Sequence, residues 1–426
     1  MSKILKKIKI KTVIVLAVLL RLILLPFTYH GDITVVYWWG KFASDFGLRG
    51  YYDWLNFGGY GLPDQPMILI YYAQIIRKIF DFIYSIIWYI NVNIPLFPSK
   101  ISQWFFDEGN QILLKTPFIF FDILLAFVIL NFLKLLKIKS KSKLKIAFVF
   151  ILFYIPLIYN STLWGSGDSL ILSLALLALY KILQKKYFQT TLFLTLSILF
   201  KPTLIVWLPI FALIFVKQKP KLKQILGLTI FFLTLIYFIS KPFTPVEINP
   251  LIWFYQTMTT KILPGCMWQL TSNAFNIWAV FFGIVPRLDE LLILPFLSAR
   301  NLSLIICLIL YLWVLFKLIK NYSLKQIIYS LAMFSLITFT FMTRMHERYT
   351  FPALIPLYIL SQIDKKYIKF FWILTITHLL NVYNWWWYPN INFLVFILEQ
   401  DFFIRIISVI NVVLVFKLLF INEKNK

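Results

Sequence analysis

In the run Arg344-Met345-His346-Glu347-Arg348, four ionisable residues in five lie between two apolar stretches, Leu324 to Met342 and Tyr349 to Leu360. Two arginines four apart, with a histidine between them, present rigid planar donors suited to clasping a phosphate. Glu347 can orient one arginine or balance its charge, and the same residues would also serve as a structural ion-pair network at helix ends. A second group has the posture of a base. In Tyr29-His30-Gly31-Asp32 the carboxylate follows an apolar stretch directly, with no basic residue before Lys41. Partial desolvation there would raise the Asp32 pKa toward the range useful for proton abstraction. Asp32 is equally suited to cap a helix beginning at Ile33.

Weaker candidates flank these two. Trp164-Gly165-Ser166-Gly167-Asp168 places two glycines beside an indole, which permits close approach of a ligand to the backbone, while Asp168 is well placed to cap the helix it opens. Lys201 precedes Pro202 between two short apolar halves, where it can reach an anion or simply extend its amine toward water. Asn273 and Asn276 supply amides next to Trp278, and Trp38-Trp39 and Trp385-Trp386-Trp387 offer flat faces for sugar or lipid, or an interfacial belt. The three histidines, His30, His346 and His378, show no HxH or HxxxH spacing, so no metal site is expected. No P-loop or GxGxxG is present, and no cofactor is expected.

The elements that must position these residues are set by composition. A chain of 426 residues that is 61% hydrophobic and 14% charged, with mean hydropathy +0.81, cannot hide its apolar surface beneath a polar coat in water. It reads as an all-α polytopic membrane protein, one domain over 1–426, with about 12 transmembrane helices near 12–28, 116–133, 146–160, 168–183, 188–200, 203–216, 224–240, 301–316, 326–342, 349–362, 367–383 and 402–420. The lysine-rich start resembles a signal peptide but lacks a small-residue cleavage site, and is read as a retained first span. Cys266 and Cys307 fit neither a disulfide framework nor a CxxC site.

Charge sorting orients the spans. The connections on one face collect 27 lysines and arginines against two acids, Asp364 and Glu423; the remaining 15 basic and 15 acidic residues cancel. The whole net charge of +25 therefore falls on one face, which the positive-inside rule makes cytoplasmic together with both termini. Nucleic-acid binding loses its appeal as the meaning of a pI near 9.8. The exterior face of the cell membrane then receives three long segments, 29–115, 241–300 and 384–401, the first containing in-plane helices such as the one from Met67 to Ile79. It also receives the candidate residues and every tryptophan except Trp313 and Trp372.

Several stretches, in order along most of the chain, carry a family resemblance: HGD at 30–32, Gly61-Leu62-Pro63-Asp64-Gln65-Pro66, Lys115-Thr116-Pro117 with Asp122, WGSGDS at 164–169, FKPTLIVWLP at 200–209, NAFNIW at 273–278 and RMHERYTFP at 344–352. The chain resembles the GT-C superfamily of polyprenyl-phosphate-sugar-dependent glycosyltransferases, and within it the bacterial relatives of the second mannosyltransferase of GPI-anchor assembly. It departs from them at Ser166, where the family often has glutamine, and in having no second acid beside Asp32. The resemblance implies an inverting displacement in which Asp32 deprotonates the acceptor hydroxyl. Arg344, His346, Arg348 and Lys201 would receive the lipid phosphate, and His30, Trp164, Asp168, Asn273, Asn276, Glu347 and His378 would line the substrate site. The partners so implied are a polyprenyl-phosphate-linked sugar and the bilayer. Two other classes fit the residues: a transporter or flippase of lipid-linked glycans, and a polysaccharide polymerase or ligase.

Overall fold

The structure, a computed structural model, describes residues 9–53, 61–265 and 267–421. Cys266, the lysines at 3, 6 and 7, and Glu423 with the last two lysines lie outside the described residues. The described chain is overwhelmingly helical; its one hairpin pairs β1 (Leu292–Leu294) with β2 (Leu297–Ser298). It divides into two compact units, residues 1–131, 140–202 and 215–265 forming unit 1, and 132–139, 203–214 and 266–426 forming unit 2.

Unit 1 begins with α1 (Ile10–Leu24), which buries Val13, Ala17 and Arg21 on one face. After it come α2 (Gly31–Phe46), α3 (Met67–Asn93) and α4 (Ser99–Leu135). The segment 29–115 is thus mostly helix: α3 runs well past Ile79, and α4 begins at Ser99 rather than near 116, carrying Pro117 within it. Gly40 allows α2 and α3 to touch, since a Cβ there would stand 2.5 Å from the Ala73 carbonyl oxygen. Tyr51, Tyr52, Phe243 and Trp253 form an aromatic cluster, and the Tyr51 hydroxyl donates to the Trp39 carbonyl at 2.8 Å.

The third apolar segment is broken into α5 (Lys141–Leu152), the single turn α6 (Ile155–Ile158) and a π turn (Tyr159–Trp164). Next are α7 (Asp168–Leu183) and α8 (Tyr187–Phe200), which pack along one another. α8 stops because Lys201 precedes proline and is driven into extended backbone at φ −156°. A 3-10 turn (Pro202–Trp207) leads to α9 (Leu208–Lys217), which is followed by α10 (Leu222–Ser240) and α11 (Pro250–Thr257).

Unit 2 contains α12 (Ile277–Phe282), α13 (Ala299–Lys320), α14 (Leu324–Phe341), α15 (Phe351–Ile363), α16 (Ile368–Trp386), α17 (Asn392–Leu398) and α18 (Asp401–Leu419). Its core is α14 and α15, whose residues are buried almost all round. Polar side chains tie it together: Trp207 Nε1 donates to Ser335 Oγ at 2.9 Å, and the Tyr329 hydroxyl to the Leu418 carbonyl at 2.8 Å.

Helix lies over all twelve apolar segments. Among the described residues six helical stretches, Ser99–Leu135, Lys141–Trp164, Leu222–Ser240, Ala299–Lys320, Leu324–Phe341 and Asp401–Leu419, are long and apolar enough to cross a membrane. Tyr187–Phe200, Pro202–Lys217 and Phe351–Ile363 are shorter apolar helices. The most apolar stretch of α10 is only 6% buried. An apolar surface so bare is costly in water and well solvated by lipid chains, as expected of a multi-pass membrane protein.

Candidate functional site

The candidate residues gather into one cluster in each unit. In unit 1 the start of α2 meets the end of the π turn. His30 is the N-cap of α2: its Nδ1 accepts the Asp32 amide N–H at 3.1 Å, so the imidazole and not the Asp32 carboxylate caps the helix. His30 also stacks on Trp164, ring centroids 3.9 Å apart, while its backbone N–H donates to the Trp164 carbonyl at 3.3 Å. Trp164 Nε1 donates to Asp32 Oδ2 at 3.2 Å, and Oδ1 lies 3.2 Å from His30 Nδ1. Trp164 is fully buried, whereas the Asp32 side chain is 44% exposed, more open to solvent than its place in the sequence suggests. The result is a carboxylate aimed by the indole N–H of Trp164, a ring that is buried and stacked on the His30 imidazole capping the same helix.

Local backbone makes this possible. The π turn widens the helix just before Trp164, and Gly165, at φ +88°, ends it; the amides of Gly165 and Ser166 both donate to the Asn160 carbonyl, at 3.1 and 2.7 Å. A Cβ on Gly165 would stand 2.4 Å from Ile33 Cγ1, so only glycine lets this turn lie against α2.

Charged groups beneath the site hold its frame. Lys115, fully buried on α4, donates from Nζ to the carbonyls of Leu25 and Thr28, pinning the link between α1 and α2. Its amine lies 6.0 Å from the Tyr29 ring, and burial, with help from the Glu108 carboxylate, raises the Tyr29 hydroxyl above its ordinary pKa. Arg21 Nε meets Asp122 Oδ2 at 2.7 Å with neither side chain exposed, and Ser161 Oγ donates to the same oxygen at 2.7 Å. Asp168 and Lys201 form an ion pair of 2.6 Å, so the lysine finds its anion within the protein.

In unit 2 the 342–350 turn lies along residues 268–273: the Arg344 amide donates to the Gln269 carbonyl at 3.0 Å and the Ser272 amide to the Met345 carbonyl at 2.9 Å, with His346 bridging to Ser272 and Asn273. Both arginines engage carboxylates. Arg344 grips Asp289 with two donors, Nε at 2.6 Å and Nη2 at 3.1 Å, and lies over the Trp268 ring at 5.8 Å. Arg348 Nη1 donates to Glu347 Oε1 at 2.6 Å. Asp289 and Glu347 are buried, and His346, 27% exposed, is the side chain most open to solvent among Arg344, His346 and Arg348.

The remaining candidates of unit 2 are largely framework. Asn276 is wholly buried and caps α12, accepting the amides of Trp278 and Ala279 at 3.0 and 3.2 Å. Asn273 sits at φ +61°, its carbonyl accepting from Asn381 Nδ2 at 2.5 Å. His378 is buried on α16, 5.8 Å from the Phe351 ring. Sequence reasoning missed Asp289 and Trp268, and used Lys115 and Asp122 only as parts of a motif. A lone buried-face carboxylate 55 residues from its arginine has no local pattern that announces it. Among the described residues no group of three or more His, Cys, Asp or Glu is placed to hold a metal ion.

Fold and apolar surface together define the class, a helical multi-pass membrane protein. No protein-family model matches the chain, and no curated protein matches it.

Proposed function

We propose that this protein is an integral-membrane glycosyltransferase of the GT-C kind, a mannosyltransferase by its sequence resemblance, that moves one hexose from a polyprenyl-phosphate donor to an acceptor at the extracytoplasmic face of the cell membrane. In this reading it has twelve spans, cytoplasmic termini and an extracytoplasmic first segment. The observation that carries the proposal is the Asp32 carboxylate, solvent-accessible yet held by the indole N–H of Trp164. Asp32 takes the proton of the acceptor hydroxyl as that oxygen bonds to the anomeric carbon. The bond from the same carbon to phosphate oxygen breaks, and its electron pair leaves on the lipid phosphate with inversion at carbon. Such a base contributes about 10²–10⁴-fold.

The departing phosphate needs positive charge, the part assigned to Arg344, His346 and Arg348. Asp289 and Glu347 hold Arg344 and Arg348 in place and offset part of their charge, and His346 is more open to solvent than either arginine.

The test is to incubate membranes with labelled polyprenyl-phosphate mannose and follow label into lipid, glycan and protein fractions. Transfer by the wild type, abolished in an Asp32→Asn variant that is present at equal level, is the expected result. Full activity in Asp32→Asn overturns the base; absence of label from every fraction overturns the reading. The buried Arg21–Asp122 pair, with neither side chain exposed, favours a second reading as a lipid-linked glycan transporter, because charges inside apolar helices also mark transport paths. Transport in proteoliposomes without sugar transfer would decide for it.

A further inference from the structure

A cleft of about 550 Å³ opens in unit 2 between the end of α16, the start of α18 and the turn after α12. That volume lies within the roughly 300–1,000 Å³ of small-ligand sites. Trp385 and Trp387 form its aromatic side; Trp385 is 48% exposed, and Trp387, at φ +55°, is braced edge-on by Tyr383 with centroids 5.6 Å apart. Asn273, Asn384 and Glu399 also line it. Asn384 is 6% exposed, and its Nδ2 donates to the Leu398 carbonyl at 3.0 Å, which fixes the amide orientation. Among the described residues its Oδ1 has no hydrogen-bond partner, and it is closed off from solvent.

The charges select what enters the cleft. Arg405, the one cation lining the cleft, is spent on Asp401 at 2.5 Å and on the carbonyls of Val280 and Phe281 at 2.7 and 2.9 Å. Glu399 has no such ion pair among the described residues. An anionic headgroup would therefore meet an uncompensated carboxylate, and an acyl chain would offer that carboxylate no donor. A molecule with hydroxyl donors around its edge and C–H faces above and below satisfies these groups: hydroxyls to Glu399, and flat faces on the two indoles.

We propose that this cleft binds a neutral saccharide ring. The proposal stands on the cleft alone, and holds whether or not the chain transfers sugar. It is tested by saturation-transfer NMR on the full chain in nanodiscs, with methyl glycosides of mannose, glucose and galactose, a mannotriose, and glycerol 3-phosphate as the anionic comparison. Expected is saturation of ring protons in at least one saccharide, reduced at least fivefold in Trp385→Ala and in Glu399→Gln, with unfolding temperatures matching the wild type. Trp385 is half exposed and Glu399 is exposed, so both variants should fold. Saturation of glycerol 3-phosphate in place of the sugars, no saturation of any saccharide, or signals unchanged in both variants would overturn the proposal. The labelled-donor assay reads transfer separately, so a failed cleft and a failed transferase give different results.

Discussion

Trp164 donates its indole N–H to the carboxylate of Asp32 at 3.2 Å across 132 residues of chain. The bond joins the end of a π turn to the first turn of α2, and so couples the aim of the proposed base to the folding of the Gly165 loop. A Trp164→Phe variant should keep the stack on His30 and lose only this donor. A hydrogen bond to a charged group contributes about 1.5–3 kcal/mol, so sugar transfer should fall by about tenfold or more. Kinetics on labelled donor measure it; unchanged turnover would mean that the indole does not orient the base.

Gly165 can be tested independently of the chemistry. Gly165→Ala would have to hold a side chain at φ +88° and push against Ile33 at 2.4 Å. Left-handed backbone costs an L-residue about 1–2 kcal/mol before any clash. The expected outcome is a lower unfolding temperature and a larger loss of transfer than in Gly50→Ala, where a Cβ meets nothing within 4 Å although φ is +68°. Equal behaviour of the two variants would remove the close approach from the account.

Arg344 and Asp289 make the structural contribution of the basic turn measurable. Removing one partner of a buried pair costs about 3–5 kcal/mol, and Asp289→Ala should sit at the low end of that range because Arg344 keeps some contact with water. Chemical denaturation of Asp289→Ala, Arg344→Ala and the double variant gives the coupling. If coupling is near zero while Arg344→Ala weakens donor use, the guanidinium serves the phosphate rather than the turn. Strong coupling with unchanged donor kinetics assigns it to structure.

Asp364, in the turn after α15, offers a pH test. Its burial pushes the carboxyl pKa up, but the Lys325 hydrogen bond at 3.0 Å, the Lys366 amide at 3.2 Å and the two lysine charges outweigh it and hold the pKa below the ordinary 3.8. A depressed carboxylate stabilises the fold above its unfolded pKa, and that stability is lost as pH falls through the folded value. Thermal unfolding in detergent should therefore show a drop below about pH 3.8 that is shallower in Asp364→Asn. An identical acid limb in both proteins would show that the turn contributes nothing.

Much of this protein is legible in the residues themselves. Apolar length placed helix over all twelve segments, and the proline after Lys201 ended α8 where expected, because both effects act within a few residues. The pairing of His30 with Asp32 is local too. Yet the sequence left open whether Asp32 is a base or the cap of a helix beginning at Ile33; the fold starts α2 at Gly31 and gives the capping to His30.

The sequence by itself determined an apolar helical chain with its charge sorted by segment, and placed a carboxylate and a basic turn at helix ends. Those properties follow from solvent preference and neighbouring residues. Only the tertiary structure decided which charges meet: Arg21 with Asp122, Lys201 with Asp168, Arg344 with Asp289. Each lies in or beside apolar helices where an unpaired charge is costly, so a partner is required, but which residue becomes the partner depends on how distant helices pack.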